Sequence, residues 1–261
     1  MALVNQQITL PSGNVITLVS SVSFNKNNFF GQKLLHPYKL VQTAHGSYKM
    51  KYDEHNISDE NAETLKNTTR FDVKHDGACG MIVWNGSEYV AYSRLDVKKN
   101  KQGEFISPGP DTIPCEPMPT DLSATHWPHF VPVTRDVKQY KWYISAFENS
   151  KTNIQKLDPS VCEQYTCEFM GPHFNQKSCD TMNDKQDHIV LHGTLQLIIP
   201  QELRTFEGFC EIMQTCPIEG IVAYPDGKQP IKIRGELFEI EWTNWKNDNP
   251  IEQGWSNYVV M

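Results

Sequence analysis

In the stretch RFDVKHDGACG, Arg70 to Gly80, one lysine, Lys74, stands between two aspartates, Asp72 and Asp76, ahead of a turn of small residues and an apolar run. A lysine amine has two chemical uses. As an ammonium it partners carboxylates and phosphates, and once unprotonated it is a nucleophile. Gly77 beside Asp76 permits a tight approach of backbone. Taken alone, KHDG is a four-residue pattern that occurs more often in a surface turn than in a site.

A second charged set lies near the end of the chain. IEGIVAYPDGKQPIKIR reads as a hairpin turning at Pro225-Asp226-Gly227-Lys228. With Tyr224 opposite Gln229, Glu219 falls opposite Arg234 and Ile221 opposite Lys232. Side chains alternate with period two, so Glu219, Lys232 and Arg234 are expected on one side and Val222, Tyr224, Ile231 and Ile233 on the other. An acid and two bases on one face suit an anion and its metal. A further hairpin is expected in GMIVWNGSEYVAYSRL, where Asn85-Gly86 divides two β-rich runs. A two-residue loop there pairs Trp84 with Ser87 and sets Arg94 opposite Gly77, near Lys74.

Three of these segments carry a family resemblance. KHDG at Lys74 to Gly77 resembles the K-x-D-G motif of the covalent nucleotidyltransferases, and EGIVAY from Glu219 and IKIR from Ile231 resemble their later E-G-[IV] and K-x-[KR] motifs. AYSRLDVKKNKQ, FVPVTRDVKQYKWY, CEFMGPHFN and LHGTLQL narrow the likeness to the small 5′-to-3′ RNA ligases of the RNA ligase 1 type. The resemblance runs from about Phe71 to Arg234. It implies an ATP-dependent enzyme in which Lys74 attacks the α-phosphorus of ATP, forms a lysyl-AMP, and passes AMP to an RNA 5′-phosphate that a 3′-hydroxyl then joins. It implies ATP and Mg²⁺ or Mn²⁺ as cofactors and RNA ends as partner.

The residue roles follow from the same resemblance. Lys74 aligns with the nucleophile, and Asp76 and Gly77 complete its motif at the nucleotide. Arg94 matches the arginine expected at the nucleotide sugar or the RNA end, and Glu168 in CEFMG an acid near the ribose or the metal. Glu219 matches the acid that holds or orients the metal, while Lys232 and Arg234 would neutralise the α-phosphate. Arg234 stands where many relatives have lysine, which keeps the charge and changes the donor geometry. An ordinary lysine, with a pKa of about 10.4, is nearly all protonated at neutral pH; partial burial, nearby cations and a metal favour the neutral amine. His192 and Phe174 are candidates for stacking on adenine.

Plainer readings stand beside these. Glu219 with Arg234 also fits a simple cross-strand ion pair, Glu168 a surface acid, and Arg94 with Lys98, Lys99 and Lys101 a solvated basic stretch that could also steer RNA. His126 and His129, beside Trp127, read as structural. An mRNA-capping guanylyltransferase or a DNA ligase shares the lysine, but both add an OB-fold, for which the stretch after Arg234 is too short. A nucleotide- or RNA-binding protein that has lost turnover is the alternative of another class.

The elements that must hold these residues are expected to form one α+β nucleotidyltransferase domain over residues 1–261: two mainly antiparallel sheets with flanking helices and no OB-fold. Residues 1–70 are a divergent amino-terminal part, 71–234 the motif-bearing core and 235–261 a tail. Residues 7–24 read as a hairpin about Pro11 to Asn14, and 49–69 as a polar loop with a short helix. Residues 102–120 read as a proline-rich loop, KQYKWYISAF and LHGTLQLIIP each as a strand, and Leu203, Phe206, Cys210 and Met213 as the apolar face of a helix.

At 261 residues, 39% of them hydrophobic and 21% charged, the chain can bury a core and is folded rather than disordered. Its formal charge of −7 argues against coating nucleic acid along its length and leaves room for gripping an end. Seven scattered cysteines without C-x-x-C spacing read as reduced thiols, and Cys162, Cys167, His173 and Cys179 are too loosely spaced for a structural zinc site. Neither a membrane span nor a secretory leader is legible, so a monomer inside the cell, in cytoplasm or nucleus, is expected.

Overall fold

A computed structural model describes residues 5–20, 31, 34–45, 47–174, 186–216 and 218–240. Cys179 and the tail beyond residue 240 lie outside them. The described chain is a mixed α+β protein with three helices and three antiparallel sheets, in two compact units.

The first unit opens with β1 (Asn5–Thr9) and β2 (Val15–Ser20), the expected hairpin, closed by Leu10 N donating to Asn14 O at 2.8 Å. Residues 21–24 of that expectation are not among those described. β3 (Tyr38–Gln42) and β4 (Met50–Ile57) pair as a small sheet, followed by α1 (Asp59–Asn67) and β5 (Arg70–Lys74). Ser58 caps α1 by accepting from Asn61 N, which satisfies one of the helix's orphan donors.

The chain then enters the second unit between His75 and Asp76 and leaves it between His192 and Gly193. That unit holds β6 (Ala78–Trp84), β7 (Tyr89–Lys98), β8 (Ile113–Pro114), β9 (His126–Pro132), α2 (Lys141–Ile154), β10 (Gln164–Met170) and β11 (His188–Leu191). Back in the first unit follow β12 (Leu195–Ile198), α3 (Phe206–Thr215), β13 (Gly220–Tyr224) and β14 (Ile231–Arg234).

The first unit's main sheet runs β1-β2-β12-β5-β13-β14. Phe71 pairs with Leu197 and Ala223, and Ile221 with Val73 and Ile233, so alternation gathers these side chains on one buried face. Helix α3 covers that face through Phe209, whose ring lies 6.2 Å from that of Phe71. The helix was expected, but its face is shifted from Leu203, Phe206, Cys210 and Met213: Leu203 lies in a turn before it, and the large side chains it buries are Phe209, Ile212 and Met213. Sheet β11-β10-β6-β7-β9-β8 of the second unit packs Ile82, Ala91, Cys167, Phe169 and Ile189 against Ala146 and Ile154 of α2. Its other face carries Met81, Cys115 and Phe130.

Several elements differ from their sequence reading. KQYKWYISAF begins a helix, because Tyr143, Ala146, Phe147, Ser150 and Ile154 fall on one helical face and that face is what the second sheet buries. LHGTLQLIIP is two strands, β11 ending at Leu191 and β12 starting at Leu195, and they belong to different units. Within 49–69 the helix is present, but Met50–Ile57 is a strand. The Asn85 hairpin has a four-residue loop with Trp84 opposite Tyr89, because Asn85 Oδ1 accepts from Ser87 N and Glu88 N, each at 2.9 Å, and holds a wider turn. The proline-rich stretch is loop apart from β8.

Candidate active site

The site is built outward from β5, which lies inside the first unit's sheet with β12 on one side and β13 on the other. Lys74 pairs with Gly220 of β13, and Gly220 pairs in turn with Arg234 of β14. The three residues therefore form one row across three strands. Gly220 has no side chain to fill the space between the two cations, and a Cβ there would collide with the Ile233 carbonyl. The next row on the same face is Asp72, Val222 and Lys232, and beyond it Arg70 pairs with Tyr224.

This register corrects the expected one by a single residue. Gly220, not Glu219, stands opposite Arg234, and Ile221 faces Ile233. Val222 and Tyr224 thus share the side of Lys232, whereas the expectation put them opposite it. Pro230 explains the slip: it precedes β14, has no N–H for the ladder, and its carbonyl accepts from Leu35 N.

Glu219 sits just before β13 begins, where its side chain is not bound by the strand's alternation. It is 5% exposed, and its carboxylate forms an ion pair with Lys74 through Oε2 and accepts from Arg234 Nε at 3.1 Å through Oε1. Arg234 also holds Glu236 at 2.8 Å. Lys74, Lys232 and Arg234 against Glu219 and Glu236 leave net positive charge, which is what an entering phosphate requires. The nearest group to Lys74 is the Glu219 carboxylate.

Further along the same face Arg70 forks onto Asp72, Nε to Oδ1 at 3.0 Å and Nη2 to Oδ2 at 2.6 Å, and its guanidinium lies 4.4 Å from the ring centre of Tyr224. Sequence reasoning had passed over this pair. Its signal is the R-x-D spacing, which on a strand places both residues on one side.

The second unit carries the remaining residues. Asp76 and Gly77 lie in the link between β5 and β6, and a Cβ on Gly77 would collide with the Phe169 carbonyl and crowd Glu168. Glu168 on β10 is buried, pairs with Cys79 of β6, and meets His192 Nε2 at 3.1 Å. His192 is therefore a partner of the acid, while Phe174 packs edge-on to Tyr143 at 4.9 Å beside the Phe169 core. Arg94 stands opposite Phe130 of β9, with Gly80 facing the preceding Ser93, so it is not opposite Gly77 as the two-residue loop implied. It pairs with Asp96 at 3.0 Å and lies by the thiol of Cys115, which burial pushes up to about 12 against the pull of that guanidinium. His129 is buried, meets the Trp127 carbonyl at 3.1 Å and packs on the Trp127 ring, the structural part expected of it.

Lys74, Glu219 and Arg234 are thus brought into direct contact, Lys232 stands in the next row of the same face, and Gly77 and Glu168 form a second group within the second unit. Among the described residues no group of three or more His, Cys, Asp or Glu side chains is placed to hold a metal ion. Glu219 supplies one buried carboxylate, which fits Mg²⁺ carried in on substrate phosphates with its own waters rather than a cage of protein ligands. No helix of the described residues is long and apolar enough to cross a membrane. No protein-family model matches the chain, and no curated protein matches it.

Proposed function

We propose that the protein is an ATP-dependent RNA ligase that joins a 5′-phosphate to a 3′-hydroxyl through a lysyl-AMP and an RNA-adenylate. The observation that carries this reading is the meeting of Lys74 with Glu219, 145 residues further on, and Arg234, three residues from three motifs around one buried carboxylate.

In this reading the ammonium of Lys74 gives a proton to water and its lone pair forms a bond to the α-phosphorus, while the bond to the bridging oxygen breaks, pyrophosphate leaves with that electron pair, and a second proton passes from the new P–N nitrogen to water. Lys232 and Arg234 take the growing charge on the phosphate oxygens. Glu219 holds Lys74 in place before the nucleotide arrives, and it would hold Mg²⁺, which supplies Lewis-acid polarisation of the phosphate when bound. The RNA 5′-phosphate then takes the adenylate from the lysine, and attack by the 3′-hydroxyl releases AMP.

The test is to expose the protein to ATP or to GTP labelled at the α-phosphate, with Mg²⁺, and to read the intact mass. One adenylate on Lys74 from ATP, and RNA joining that disappears in Lys74→Ala, is the expected result. A label from GTP alone, or joining that survives Lys74→Ala, overturns it.

A further inference from the structure

The last strand of the site is an edge strand, since β14 ends the sheet order. An edge exposes backbone donors and acceptors on the side away from its partner, and such groups need some other partner when they are buried. On β14 these are the groups of Lys232 and Arg234. Lys232 N donates to Leu35 O at 2.8 Å, beside a short parallel bridge between Leu35 and Ile231. From there on no strand of the described residues continues the pairing. One side chain takes its place: the hydroxyl of Tyr52 donates to Lys232 O at 3.3 Å and accepts from Arg234 N at 3.2 Å.

Tyr52 comes from β4, in the part of the chain that carries no motif. Its ring is 4% exposed and is fixed edge-on by Tyr38 at 5.1 Å and Phe238 at 5.1 Å. His36 Nδ1 stands 3.1 Å from the same hydroxyl. The single phenolic proton serves Lys232 O, so His36 faces that oxygen as a donor. Burial also pushes the phenol's pKa up, which keeps this proton in place.

We propose that Tyr52 is a positioning residue for the nucleotidyl-transfer site, its hydroxyl standing in for the missing neighbour strand and fixing the backbone from which Lys232 and Arg234 reach the phosphate. The functional half of this inference rests on the ligase reading; the structural half does not. Arg234 must hold Glu219 on one side while its main chain stays in register with Gly220. Loss of the hydroxyl releases both backbone groups together.

The test is Tyr52→Phe, which keeps the ring and its packing. Tyr38→Phe is the matched control, because the Tyr38 hydroxyl is buried in the same cluster and has no hydrogen-bond partner among the described residues. Hydrogen exchange of the Arg234 amide is expected to rise about tenfold or more in Tyr52→Phe and to stay unchanged in Tyr38→Phe. In single-turnover adenylation, the maximal rate is expected to fall about tenfold in Tyr52→Phe with little change in the ATP concentration at half-saturation. Unchanged exchange at Arg234 overturns the backbone contact, whatever the protein's activity. Altered exchange with a wild-type adenylation rate overturns the positioning role. Failure of the wild-type protein itself to take up adenylate, with exchange altered as expected, overturns the ligase reading and leaves the contact standing.

Discussion

Two cations share one carboxylate in this site, and the three groups do not carry equal weight. Lys74→Ala leaves Glu219 bonded to Arg234, so the buried carboxylate keeps a cationic partner and the loss of stability is expected to stay within about 1–3 kcal/mol, while adenylation falls to background. Lys74→Arg is expected to be equally inactive, because a guanidinium keeps the charge and does not give up its proton. Glu219→Gln removes the anion from between two cations in a nearly buried position. Denaturant titration is expected to show a loss of about 1–3 kcal/mol, together with slower adenylation. Lys74, Glu219 and Arg234 were singled out through the resemblance that KHDG, EGIVAY and IKIR carry rather than by charge spacing, and the structure brings the three into contact. Tyr52 was not, since its only signal is one tyrosine in a polar stretch, and the backbone it serves lies 180 residues further on.

Strands deliver these side chains, and register decides what they deliver. A shift of one residue in β13 and β14 moved Val222 and Tyr224 to the charged side and made Gly220 the residue between Lys74 and Arg234. The sequence showed that a hairpin was there; its register depended on Pro230 and on the pairing with β5, neither of which a local pattern encodes. Likewise Asn85 announced a turn, but its side chain caps a four-residue loop, and the altered count carried Arg94 away from its expected position. The aromatic run of α2 was misread because β-propensity outweighed a period of burial that only the packed sheet makes visible. Among the glycines that a methyl group would drive into a carbonyl are two of the proposed motifs, Gly77 against Phe169 and Gly220 against Ile233. Alanine at either is expected to cost about 1–3 kcal/mol in urea unfolding, and at Gly220 to slow adenylation as well by parting the strands that carry the cations.

Two units, each with its own six-stranded sheet, share the proposed motifs, and the chain passes from one to the other between His75 and Asp76. The sequence marked the sheets as mainly antiparallel, which they are, but not this exchange of strands, because it rests on contacts between segments far apart. Burial sets one property of the protein as a whole. The thiols of Cys115 and Cys216 are pushed from an ordinary 9.0 to about 12. Between these values the unfolded chain has released protons that the folded chain keeps, so unfolding becomes easier as pH rises. Each thiol's contribution is fully present below about pH 9 and is lost by about pH 12, at up to about 1.4 kcal/mol per pH unit. Urea midpoints measured across that range are expected to decline, and Cys216→Ala to flatten the decline; a level profile would refute the assignment.

The hydroxyl of Tyr52 has one more consequence, for the protein in concentrated solution. An uncovered sheet border is a template on which another molecule can add its own strand, the first step toward insoluble assemblies. Leu35 and Tyr52 together occupy the outward-facing groups of Lys232 and of the Arg234 amide, so this border offers little to an incoming chain. Light scattering during prolonged storage is therefore expected to rise with protein concentration in Tyr52→Phe and to remain flat in Tyr38→Phe.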